Sequence, residues 1–545
     1  MEKPIKIVIV GGGTAGWLSA AFLSKQLPLT TSRPFKITLV EASDIPTIGV
    51  GEATTPSLLQ TLAACGIHEV EFLLACDATF KHGIQFKQWR KPPTNGDNNG
   101  EEDAYFHPFG DPLEVNGRSV VRQWSHLPPA ERGEFADLFS VQPEMALNGQ
   151  SPKHANDAPY DGALSYAYHL DAGKLAQFLK ERFRAKSNSG EGVQHIIGKV
   201  ENLNFTNTDD IGSVVLEDGQ TIKGDLFLDC TGFTARLINH DKRNQFLDKT
   251  DVLFVDRAVT TRIPHDGIPS INGFTTSTAQ DAGWIWDINL RTRRGVGHVY
   301  STRYMDDDAA LNVLARHVGF PACALNARTL DMRIGYYKRQ WRGNCIAVGL
   351  SSGFLEPLES TGIYLTEMVN WALAEFIPRY LSGASPQEQY NDAIAHHYEN
   401  IVDFIKLHYC ISGRSDTPFW RENTNPDTVP DTLKTKLAAW KNDCPSIYDF
   451  DRRIQCFSAP NYQFILYGMG WAGNNQSSTS TNAALHGLSK QVQIRRDRLK
   501  QFVLRDTLSN ADIYGALAHT TLPDGGLVLP DGLPPVTNGF NFQVR

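Results

Sequence analysis

Between Asn344 and Gly362 the chain reads NCIAVGLSSGFLEPLESTG, and these residues have the most to offer chemistry. A buried strand there ends in a turn of small residues and runs into Glu356, Glu359, Ser360, Thr361 and Gly362. Small residues let a backbone approach a planar ring, and unpaired amides at a helix N-terminus hold an anion. A buried carboxylate such as Glu359 serves as a general base or stabilises a cationic intermediate; the plainer reading is a strand-to-helix connection that Glu359 caps. Gly11, Gly13 and Gly16 have the GxGxxG spacing that admits a pyrophosphate to the backbone. Trp284, Trp286 and Ile288 alternate, so they share one strand face, as core packing or as an aromatic wall.

The elements around the glycines follow from pattern. Ile5 to Val10 is a β-branched run without polar alternation after its lysine, as in a parallel strand buried on both faces. A helix is predicted from Thr14 to Leu27, its N-terminal amides facing a phosphate, and a second strand, Phe35 to Val40, delivers Glu41 to ribose hydroxyls. Strand, glycines, helix, strand and acid in this order specify a dinucleotide site, with Gly11, Gly13, Thr14, Ala15, Gly16 and Glu41 as its contacts. Another GxGxxG, at Gly468, Gly470 and Gly473, precedes a polar run with no helix or acid-tipped strand and is read as coincidence. One credible unit favours FAD over NAD. The strand Asp225 to Asp229 followed by the turn Cys230, Thr231, Gly232 and Phe233 supports FAD, as a turn closing over the adenosine half or as an ordinary strand and turn.

A chain of 545 residues with 41% apolar and 21% charged residues has ordinary globular composition, and a net charge of -8 gives no basic footprint for nucleic acid or an anionic membrane. Eight cysteines without a CxxC pair suggest neither zinc nor a redox dithiol and fit a cytoplasmic setting. The lysines and apolar run at the N-terminus resemble a secretory signal, but Gly11 to Gly13 interrupt it, and no stretch reaches the ~18 apolar residues of a membrane span. Pro386 to Ile411 is an amphipathic helical pattern whose His396, His397 and His408, with Glu399 and Asp403, have no metal-ligand spacing and read as solvated. Asn95 to Asp103 and Leu522 to Pro535 read as loops.

Five stretches occur in the order seen in flavin-dependent tryptophan halogenases: GGGTAGW at 11 to 17, GVGEAT at 49 to 54, FKHGIQF at 80 to 86, GWIWDI at 283 to 288 and FLEPLESTG at 354 to 362. The chain resembles that family over roughly residues 3 to 480, including HYCISGRSDTPFW at 408 to 420. The resemblance implies an α/β fold: a Rossmann-like, doubly wound FAD-binding domain with an associated β-sheet over 1–380, a loop-rich insertion around 90–160, and a mainly helical, substrate-covering region with an extended tail over 381–545. It implies FADH2 from a separate flavin reductase, oxygen, and a chloride or bromide ion oxidised to hypohalous acid. The acid is then relayed to Lys81 and held there as a haloamine or as hydrogen-bonded hypohalous acid, with Glu359 as base or stabiliser, for halogenation of a small electron-rich aromatic. Gly51, Glu52, Ala53, Gly232 and Leu350 join the FAD contacts; Thr361 and Gly362 hold the halide; Trp284 and Trp286 separate flavin from substrate. His107, Phe109, Ser360 and Tyr462 line the substrate. Homodimers are common in the family.

The likeness is incomplete in two places. Asn289 stands where the family has proline after its tryptophan pair, and 457–471, with Asn461 and Gln463 flanking Tyr462, lacks the carboxylate and ammonium clamp that grips an amino-acid substrate. Free indole or an indole-like ring is therefore expected over tryptophan. The competing readings are an FAD-dependent aromatic monooxygenase and a non-catalytic flavin-binding protein.

Overall fold

A computed structural model describes residues 3–44, 51–93, 103–185, 192–207, 209–265, 271–451, 455–471 and 482–520. The loop expected at 95–103, apart from its last residue, the loop at 522–535, Gly473 and residues 49 and 50 lie outside them.

Strand β1 (Ile5–Val10) is central in a six-stranded sheet. It pairs in parallel with β2 (Phe35–Glu41) on one side and with Leu226–Asp229 on the other. Gln194–Ile197 extends the first side, and Cys345–Ala347 and Trp341–Arg342 the second. The chain thus leaves β1 toward one edge and later returns to the other, which makes the C-terminal end of β1 the topological switch point where such sheets bind ligands. Helix α1 (Thr14–Thr30) starts there and is buried along Gly16–Leu23, because the sheet covers one face and the helix Thr361–Leu381 packs on another.

A second sheet of seven strands has the order Arg328–Asp331, Arg257–Pro264, Arg293–Tyr300, Gly283–Asn289, Thr275–Gln280, Gly83–Lys87 and Ala104–Pro108. Three short strands link the two sheets: β3 (Gly51–Ala53) and β4 (Thr79–Lys81) both pair antiparallel with Ala167–Asp171. Strand β5 (Gly83–Lys87) follows β4 after one residue and pairs with β6 (Ala104–Pro108). The C-terminal part is helical, with Thr361–Leu381, Gln387–Cys410, Asp431–Trp440, Ala459–Gly468 and Asn482–Asp506 as its longer helices. One apolar cluster runs from Ile5 to Leu517 through both parts.

The last described elements turn back on strands that lie outside both large sheets. Thr507–Ser509 pairs with Gln150–His154, and the helix Asn510–Ala518 brings Tyr514 against β4, where its hydroxyl accepts the Phe80 amide at 2.7 Å.

Candidate active site

The dinucleotide motif fits the group it was read to hold. Helix α1 begins at Gly13 with no side-chain cap and no acidic residue in its first turn, so its amides face outward with nothing of the protein's own to bind. Beyond Gly13 and Gly232 the space is open, whereas a Cβ at Gly11 or Gly16 would collide with neighbouring backbone. The glycines therefore pack the turn tightly on one side and leave room for phosphates on the other. Thr14 donates to the Ala172 carbonyl at 3.2 Å, and Ala15 lies under Gly349, beside Leu350 and Ser351. Ser351 donates to the Gly232 carbonyl at 3.1 Å, which ties the two later turns together above the sheet. Glu41 ends β2 half-buried and accepts from His195 at 2.7 Å and Lys180 at 3.1 Å. Gly51, Glu52 and Ala53 form β3, with Gly51 close against Gly295 and the Glu52 carboxyl pushed up to about 7 by burial. These open turns, free amides and a half-buried acid suit an FAD.

Lys81 ends β4, fully buried. Its Nζ donates to Ser360 Oγ at 2.9 Å and to the Thr54 carbonyl at 3.1 Å, and lies 5.0 Å from the centre of the Phe109 ring. Burial lowers its pKa to about 7, against the pull of Glu359 that would keep the proton on. The sequence separation of Lys81 and Glu359 is thus closed by the fold: Ser360, bonded to the lysine, adjoins Glu359 in the chain.

Glu359 and Ser360 both have left-handed backbones, with φ of 67° and 64°. For non-glycine residues this conformation is costly and is kept where surrounding contacts enforce it. Here it turns the Glu359 side chain toward β6 before the helix begins at Thr361. His107 Nδ1 lies 3.0 and 2.9 Å from the two carboxylate oxygens, and His408 Nε2 lies 2.9 Å from Oε1. Burial alone would raise the carboxyl; the two imidazoles overcome it and hold Glu359 well below the usual carboxylate range. Thr361 and Gly362 open the helix Thr361–Leu381, which has neither a side-chain cap nor an acid in its first turn.

Trp284 and Trp286 project from one face of Gly283–Asn289 as an edge-to-face pair, ring centres 6.3 Å apart. Trp286 lies over its cross-strand partner Gly297, where any side chain would collide with the indole. Asn289, in the proline position, ends the strand, and its carbonyl accepts from Thr79 of β4 at 2.7 Å.

Tyr462 is fully buried among Phe404, Trp440 and Phe450, and its neighbour Asn461 reaches His107 Nε2 at 3.3 Å. One sequence expectation is corrected. His397 and His408 are buried rather than solvated, since every residue from Asn400 to Tyr409 is enclosed by neighbouring elements. His408 and Asn461 are the site residues that pattern missed. The glycines Gly468 and Gly470 end a helix, with Gly468 packed on Tyr105, in keeping with a coincidental motif.

Among the described residues no single helix is long and apolar enough to cross a membrane. The family model for tryptophan halogenase matches residues 6–484. The chain is 33% identical to a tryptophan 6-halogenase, SttH, of Streptomyces toxytricini, covering 94% of this chain and 98% of that one. Among solved structures, a tryptophan halogenase from Shewanella frigidimarina superimposes with a TM-score of 0.86 at 34% identity, covering 95% of this chain and 98% of that one. BrvH, a flavin-dependent halogenase from Brevundimonas sp. BAL3, does so with a TM-score of 0.79 at 31% identity over 94% of this chain and 99% of that one. The chain belongs to the tryptophan halogenase family and is a flavin-dependent halogenase.

Proposed function

We propose that this enzyme chlorinates or brominates an indole-like ring without an amino-acid handle, with Lys81 and Glu359 as its catalytic residues. The observation that carries this is the buried contact of Lys81 with Ser360, which sets the lysine beside Glu359 under the Phe109 ring. FAD, reduced by a separate flavin reductase and supplied with oxygen, contributes the oxidation of halide to hypohalous acid. Gly11, Gly13, Thr14, Ala15, Gly16, Glu41, Gly51, Glu52, Ala53, Gly232 and Leu350 would hold it, and Trp284 and Trp286 would keep it from the substrate. The amides of Thr361 and Gly362 hold the halide.

At the substrate, Lys81 orients and polarises the hypohalous acid through an N–H bond. The ring carbon takes the halogen as the halogen–oxygen bond breaks, and the departing oxygen takes a proton from the Lys81 ammonium and leaves as water, a loss balanced by the proton that Glu359 takes from the ring. Glu359 faces the ring cation and receives the ring proton, restoring aromaticity. His107 and Phe109 border the substrate with Ser360. The helix Ala459–Gly468 presents no acidic or basic side chain, which favours indole over tryptophan. A cytoplasmic setting, with all the cysteines reduced, belongs to the same proposal.

The test supplies the purified enzyme with FAD, a flavin reductase and its reductant, oxygen, chloride or bromide, and either indole or tryptophan, and reads products by mass spectrometry. Halogenated indole is expected, and Lys81→Ala is expected to abolish it while retaining FAD. Hydroxylated product alone would establish the monooxygenase reading instead.

A further inference from the structure

The hydrogen bonds around Glu359 fix where the protons are. His408 Nδ1 lies 2.8 Å from the Phe404 carbonyl, which can only accept, so Nδ1 carries a proton. If that were its only proton, Nε2 would turn a lone pair toward Glu359 Oε1 at 2.9 Å, so this contact holds a proton of its own. On the other side, Asn461 Oδ1 accepts the Ser458 amide at 2.9 Å, which turns the Asn461 amino group toward His107 Nε2. That ring nitrogen therefore accepts, and the His107 proton sits on Nδ1, donated to Glu359. A carboxyl already receiving His107's N–H on both oxygens favours its ionised form, so the proton shared with His408 rests on the imidazole.

We infer that His408 is a positioning residue that forms an imidazolium–carboxylate pair with Glu359, while Asn461 holds His107 as a neutral N–H donor to the same carboxylate. The inference rests on the proposed function. The pair is neutral overall, so it is tolerated in a site with no exposure to water, yet it presents an ionised carboxylate to the substrate ring. Without the imidazolium, the His107 N–H alone would oppose burial, and the Glu359 carboxyl would rise toward protonation, weakening both the charge that faces the ring cation and the acceptor for its proton. The other ionisable groups coupled to Glu359 are Lys81 of β4, Tyr105 of β6 and Cys456. Burial holds the last two in their neutral forms and lowers Lys81, so His408 is the group that supplies the fixed positive partner.

His408→Gln keeps an N–H donor of similar reach and removes the charge. In FAD-loaded enzyme with excess reductase, kcat/KM for indole is measured from acid to mildly alkaline pH. The wild type is expected to hold its kcat/KM to the acid end of the range; in His408→Gln the acid-side fall is expected roughly one pH unit or more higher, with FAD content unchanged. A profile of the same shape as the wild type's would overturn the inference. Nitrogen NMR of isotope-labelled histidines in the wild type decides it without a variant: His408 is expected to carry protons on both nitrogens at neutral pH, and a singly protonated His408 would overturn it. Wild-type enzyme that makes no halogenated indole would reject the proposed function, and the histidine spectrum would still decide the pair.

Discussion

Lys81 pairs a functional asset with a cost to folding. Its pKa of about 7 means that the ammonium, present below that value, is lost as pH rises through it, whereas an ordinary lysine keeps its proton to about 10.4. Halogenation is therefore expected to fall on the alkaline side of neutrality in a steady-state pH profile. The same displacement makes the unfolded chain bind more protons between about 7 and 10.5, so stability rises with pH across that window. Lys81→Met, which removes the buried amine, is expected to raise the thermal midpoint at neutral pH, read by calorimetry, while activity is lost. Glu359→Gln keeps the side chain's size but takes away the base, and a loss of ~10²–10⁴ in kcat is expected from quenched product analysis. Glu359 was legible as an acid in a small-residue turn. Its partners were not, because His107 and His408 lie 252 and 49 residues away in sequence and their meeting belongs to the fold.

At the scale of elements, legibility depended on whether a segment's environment is one-sided. The unit β1–α1–β2 was readable because an unbroken β-branched run, glycines and an acid at the strand end each have a local cause. The helix Gln387–Cys410 was readable as a helix, but not in its burial. Periodicity assigns polar residues to solvent, whereas Asp403, Lys406 and His408 turn inward to partners on other elements, Thr432, Asn423 and Glu359. The successive left-handed residues Glu359 and Ser360 also escaped, since neither is the glycine that marks such a backbone. The strand Gly283–Asn289 offers a sharper test, since Trp286 has its position only because Gly297 opposite is bare. Gly297→Val is expected to displace that indole and destabilise the sheet by about 1–3 kcal/mol, with a shifted tryptophan fluorescence and a lower yield of halogenated product per reductant consumed.

Among the described residues a continuous core joins the six-stranded sheet to the C-terminal helices, so the candidate site is assembled from β4, β6, the turn before Thr361 and the helix Gln387–Cys410. The final helix takes part through Tyr514, whose hydroxyl is the acceptor for the amide of Phe80, next to the lysine. Tyr514→Phe leaves that buried N–H without its partner, at a cost of about 1–3 kcal/mol, and is expected to lower the thermal midpoint and to reduce kcat more than it weakens FAD binding, as resolved by fluorescence titration alongside turnover.

That contact also sets an order on biosynthesis. Lys81 is made before the acceptor for its neighbour's amide, which comes more than four hundred residues later. A nascent chain can pair β1 with β2, and β4 with Ala167–Asp171, long before the amide beside Lys81 finds that acceptor. The buried surroundings of Lys81 are thus complete only once Asn510–Ala518 has been made and has folded back on β4.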